Sequence, residues 1–175
     1  MTHLTPFPLP LDRERVFAKI SLRPDSPAWE DALADYRLAE PQFADCVRFA
    51  AGYSLGPVDA GLDFPVPCGR RVFAAYTIGP DITRLIQDCF DQGEFLRGML
   101  LDAMADQALG LIETAFTGRL EAQGLRLTRR FWPIHDISPA YQRLILAEVD
   151  IGVTMTEGFM LNPVKSGSFV AGIIS

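Results

Sequence analysis

The side chains that could do chemistry gather in three stretches. In Arg129-Arg130-Phe131-Trp132-Pro133-Ile134-His135-Asp136, two guanidinium groups precede two aromatic rings, a histidine and a carboxylate. A guanidinium fork suits a carboxylate, and the rings beside it suit a flat ligand ring or a sulfonium cation. The competing reading is a sheet edge, with arginines in solvent and aromatics in the core. His135 and Asp136 could form an acid/base pair, but adjacent side chains on an extended chain point apart, so a structural role for His135 is preferred. In the second stretch Asp102, Asp106 and Glu113 follow one another at helical-turn spacings. A metal could sit on such a row, but a solvated helix face is the preferred reading. In the third, Gly158 to Ser166 ends in Lys165-Ser166 and has the outline of a phosphate loop. Its second glycine is missing, and Pro163 and Val164 stand before the lysine, so the backbone cannot wrap a phosphate in the usual way.

Other chemistries find little support. There is no GxGxxG and no GxSxG, and no serine or cysteine sits in an activating context for a nucleophilic triad. Cys46, Cys68 and Cys89 form no CxxC pair, which disfavours zinc and favours reduced thiols in or near the core. A net charge of -6 argues against nucleic acid, which needs a concentrated positive surface. No apolar run approaches the ~20 residues that cross a bilayer. Met1 to Thr5 lacks the basic start and apolar core of a secretion signal, so a cytoplasmic protein is expected.

The elements that must position these stretches follow from hydrophobic period and capping. A chain of 175 residues suits one domain, expected to span 1–175. The prolines at 6, 8 and 10 rule out helix and predict a lead-in packed on the domain. Asp12 predicts an N-cap for a short helix with Val16, Phe17 and Ile20 inward. Ser26-Pro27 predicts a second helix start, with Trp29, Leu33 and Tyr36 on one side. Val47, Phe49 and Ala51 alternate as in a strand, which Gly52, Gly56, Pro57, Gly61, Pro65 and Pro67 are expected to break.

Arg70 to Ile78 predicts a strand with apolar residues on both faces. Ile82, Leu85, Ile86, Cys89 and Phe90 mark a one-striped helix ended by Gly93. A long helix is expected from Glu94 to Ala122, weakened at Gly98, Gly110 and Gly118, with a close approach at Gly110. Leu125 and Leu127 mark a half-buried strand, and Ser138-Pro139 opens a short helix. Asp150 to Ile174 then reads as two strand segments flanking a polar turn. Helices and strands without a regular βαβ rhythm indicate an α+β fold.

Taken together, several segments carry a family resemblance. Tyr76-Thr77-Ile78-Gly79-Pro80-Asp81-Ile82, then Gly93-Glu94-Phe95-Leu96 and Leu100-Leu101-Asp102-Ala103-Met104, resemble the short proteins related to the activation domain of cobalamin-dependent methionine synthase, where "ATLGPEV" precedes a helix with "LLDA". Ile151 to Glu157 followed by Met160 to Ser166 is similar to that family's "IGVxLTESxMMxPxKS". The resemblance covers about residues 70 to 175.

It implies a twisted antiparallel sheet flanked by helices and a shallow groove for S-adenosylmethionine. The bound methyl group is presented to a reduced cobalamin held by a partner. The chain has no DxHxxG, so a corrinoid protein or methyltransferase would act in trans. The resemblance assigns the carboxylate contact to Arg130, and Phe131 beside it is a candidate for aromatic contact from its position alone. It gives the shaping of the groove to the loop Asn162, Pro163, Lys165, Ser166 and Ser168. Family members place Gly-Tyr after the arginine, and Ile134-His135 stand near that place here, which makes His135 a candidate. Relatives also carry a glutamate on the long helix where Gly110 aligns. Two alternatives accompany this reading. One is a cofactor-less relative that serves as a protein-interaction module for a corrinoid or methyltransferase protein; the other is a hydrolase built on His135 and Asp136.

Overall fold

The computed structural model describes residues 1–58 and 63–174. Its centre is a five-stranded antiparallel sheet in the order β1-β2-β3-β7-β4, formed by β1 (Thr2–His3), β2 (Ala50–Pro57), β3 (Arg70–Thr77), β7 (Ser166–Ile174) and β4 (Arg126–Leu127). A separate two-stranded ribbon pairs β5 (Thr154–Met155) with β6 (Leu161–Asn162). The helices are α1 (Arg13–Lys19), α2 (Trp29–Cys46), α3 (Asp81–Asp91), α4 (Phe95–Ala122) and α5 (Ala140–Glu148).

β3 is buried on both faces, as its two apolar sets require. On one side Val72, Ala74 and Tyr76 meet a core that includes Leu100, Met104, Ala108 and Phe116 of α4. On the other, Phe73 and Ala75 meet Tyr141, Ile145 and Val149 from α5 and its end. The Asp12 side chain accepts from the backbone N–H groups of Glu14 and Arg15 at 3.0 and 3.3 Å, which caps α1 as expected. Phe7 and Leu9 of the proline-rich lead-in pack on the larger core.

Helix α2 runs through Pro41 to Cys46, because Ala39 and Phe43 are buried on the same face as Tyr36 and packing outweighs the missing donor. Two local expectations are corrected. Strand β2 runs through Gly52 and Gly56 to Pro57 instead of breaking there, held by an unbroken register with β3. Gly61 lies outside the described residues. The close approach on α4 is at Gly98, where an added Cβ would lie 2.9 Å from the Phe90 ring, while nothing lies within 4 Å of Gly110. The strand segments of the terminal arm lie in two different sheets. β7 crosses back to lie between β3 and β4, and only the short ribbon closes on itself.

Candidate functional site

β7 brings the three chemistry-bearing stretches into one neighbourhood. Phe131 bridges to Val170, so the 130–136 segment hangs on the free side of β7 beyond β4. A turn then forms at 132–136: the Asp136 carboxylate accepts from the Trp132 backbone N–H at 3.0 Å, and the Trp132 carbonyl accepts from Asp136 N–H at 2.8 Å. Arg129 lies 3.8 Å from the same carboxylate. Asp136 therefore closes the loop.

Ile134 sits in this turn at φ 76°. A β-branched residue in the left-handed region is an outlier that stores about 1–3 kcal/mol. It is the backbone shape that glycine adopts without strain, and Ile134 stands near the place that the resemblance assigns to glycine.

Between this turn and the loop that follows the ribbon lies a cleft of about 290 Å³. Trp132, Pro133 and Ile134 line one wall, and Phe159 to Leu161 with Val164 line another. Ser166, Gly167, Ser168, Gln142 and His135 supply its polar surface. Of the residues expected at a site, His135, Ser166 and Ser168 line this cleft, and Arg130, Phe131, Asn162, Pro163 and Lys165 are not among its lining residues. Phe131 is 2% exposed and packed in the core. Asn162 donates to Thr154 Oγ1 at 3.5 Å across the ribbon, and the Asn162–Pro163 peptide is cis. Ser166 Oγ lies 2.8 Å from Thr77 Oγ1 and 2.6 Å from the Pro163 carbonyl, which pins the loop to β3.

Lys165 turns away from the cleft. Its ammonium is 2.7 Å from Asp102 and 2.8 Å from Asp106, and its side chain is 13% exposed. Burial works against the charge on Lys165, but the two carboxylates outweigh it and hold its pKa above the usual lysine range. Burial likewise opposes ionisation of Asp106, and Lys165 with Lys19 outweighs it and brings that pKa down. Asp102 and Asp106 keep part of their surface in solvent and dock the terminal loop onto the helix through Lys165.

Glu113, the third member of the row, is the most connected side chain near the site. It accepts from the Tyr76 hydroxyl at 2.8 Å and from the Trp132 indole N–H at 3.3 Å, and Arg130 Nε lies 3.1 Å from its other oxygen. Burial first, then the charge of Glu113, pushes the Tyr76 pKa upward, so the phenol stays a donor. Arg130 also donates to Thr117 Oγ1 at 3.0 Å. The guanidinium lies behind Trp132, 5.9 Å from the ring centroid. Glu113 stands three residues beyond Gly110, the position aligned with the family glutamate, and a three-residue spacing on a helix keeps nearly the same face. The sequence places Glu113 in the acid row but does not show this role, because its partners, Tyr76 and Arg130, are far away in the chain.

No family model matches the sequence, and no curated protein matches it. Among solved structures, the chain is similar to the MetH reactivation domain bound to AdoHcy, with a TM-score of 0.65 over 89% of this chain and 71% of that one, at 13% identity. The fold is that of the MetH reactivation domain. The expected antiparallel sheet with helices on both faces is therefore shown. No helix among the described residues is long and apolar enough to cross a membrane.

Proposed function

We propose that the cleft between the Trp132–Asp136 turn and the Phe159–Ser168 segment binds S-adenosylmethionine or AdoHcy. The protein then serves as an activation module for a corrinoid methyltransferase in trans. The observation that carries this reading is the turn itself. In a fold shared with an AdoHcy-bound domain, the chain holds Ile134 in a left-handed backbone although the side chain there is ill-suited to it. The cleft is apolar on its walls with a few polar groups converging on it, as small-molecule sites are. Its volume is near the ~300 Å³ lower bound of such sites, which suits one end of the ligand.

In this reading His135, Ser166 and Ser168 meet the ligand directly. Lys165, Asn162 and Pro163 fix the loop that shapes the cleft. Arg130, held by Glu113, acts as a positioning residue that backs Trp132. The ligand's sulfonium methyl would be handed to a reduced corrinoid held by the partner, leaving AdoHcy. Calorimetric titration of the whole chain with AdoHcy tests this. Saturable binding is expected, and no heat at millimolar AdoHcy with a folded sample would contradict it.

A second reading, a module that has given up the cofactor and retains only protein docking, is favoured by the apolar rim. Ile134, Met160 and Val164 are all at least half exposed around the cleft. Capture of a corrinoid protein that survives Arg130→Ala, with no AdoHcy binding, would select it.

A further inference from the structure

We propose that Gln142 reads the edge of an adenine ring in this cleft, with its side-chain amide N–H donating to a ring nitrogen. Gln142 comes from the first turn of α5, lines the cleft, and is 3% exposed. Its Oε1 accepts from Ser168 Oγ at 3.2 Å. Its Nε2 is buried and has no hydrogen-bond partner among the described residues. A buried donor without a partner is costly, and a ligand acceptor in the cleft would satisfy it.

The surroundings define that acceptor. No lysine or arginine is among the lining residues, so a carboxylate placed here would be buried without a cation, which is unfavourable. A neutral acceptor on a flat ring suits Trp132 and Phe159 nearby. A glutamine amide also offers a donor and an acceptor side by side, the pairing that matches the adenine N6/N7 edge. Oε1 retains a second lone pair after accepting from Ser168. The cleft thereby takes the nucleoside end of the ligand.

This inference rests on the proposed binding of AdoHcy. The test titrates AdoHcy, adenosine, 1-deazaadenosine and 7-deazaadenosine into the whole wild-type chain and into Gln142→Met and Gln142→Leu. Methionine keeps the length of the side chain while removing the donor. Wild-type protein is expected to lose roughly three- to tenfold in affinity for one deaza analogue relative to adenosine. Both variants should bind adenosine that much more weakly and no longer distinguish that analogue. A merely structural role for Gln142 would weaken all nucleosides alike and leave the discrimination intact, which would overturn the inference. AdoHcy binding with no adenosine binding, or with no deaza discrimination in wild type, also overturns it while leaving the cleft's proposed ligand standing. Failure of every ligand with folded wild-type protein overturns both.

Discussion

Arg130 and Glu113 lie 3.1 Å apart, Nε to carboxylate, at the point where α4 passes beneath the Trp132 turn. The arginine that resemblance assigns to a ligand carboxylate is thus matched with a carboxylate of its own chain. The pair ties helix, turn and β3 together, because Glu113 also accepts from Tyr76 and Trp132.

That arrangement separates two roles for Arg130. If it backs Trp132, Arg130→Ala weakens AdoHcy and 5′-methylthioadenosine by the same factor, since the second ligand lacks the amino-acid end. We expect that equal loss, roughly tenfold, as for one hydrogen bond to a charged group. A loss confined to AdoHcy in parallel titrations would return Arg130 to the carboxylate.

Gly167 should be intolerant. An added Cβ would lie 2.5 Å from the Tyr76 ring and 2.6 Å from its hydroxyl. Gly167→Ala is expected to cost about 1–3 kcal/mol by overpacking, a fall of roughly 2–12 °C in melting temperature for a chain of this size. In the Tyr76→Leu background the same substitution should cost clearly less, because the two sites share the contact. Thermal melts of the four proteins check this, and strict additivity would refute it.

Ile134→Gly should do the opposite of most isoleucine-to-glycine changes. Relief of the φ 76° conformation offsets the entropy that glycine adds to the unfolded chain. The side chain is half exposed, so little burial is lost. Stability is expected to stay level or rise by up to ~1 kcal/mol. A denaturant midpoint well below wild type would show that the isoleucine makes contacts worth more than the strain.

Acid should weaken the far side of the sheet. The hydrogen bond from Arg71 chiefly, with help from Ser54, holds the Glu148 pKa below the usual glutamate range even though burial opposes it. A carboxylate depressed on folding stabilises above its unfolded pKa of about 4.3. That stabilisation is lost as pH falls through the lower folded value. Melting temperature should therefore drop below about pH 4.5, and Glu148→Gln should flatten this part of the profile. Identical slopes for the two proteins would exclude Glu148 as a source.

Much of the fold was readable because it rests on local period and caps. The doubly apolar Arg70–Ile78 run, the stripe from Ile82 to Phe90 and the Asp12 cap all describe a segment and its nearest neighbours. Where distant packing decides, local signals mislead. Gly52 and Gly56 read as breakers, yet both sit inside β2. The site was legible only in part for the same reason. Resemblance drew attention to the 130–136 and 162–168 loops, but Gln142 and Glu113 matter through partners 26 and 37 residues away. The phosphate-loop outline around Lys165 dissolves once its ammonium is seen between Asp102 and Asp106.

Calorimetry of the intact chain against AdoHcy, repeated with Ser168→Trp to fill the cleft, asks directly whether the cleft beside Trp132 is a ligand site. Saturable binding to wild type is expected, and the filled variant should lose it while keeping a cooperative melt. Absence of binding to folded wild type at millimolar AdoHcy, or equal binding by the filled variant, would contradict it.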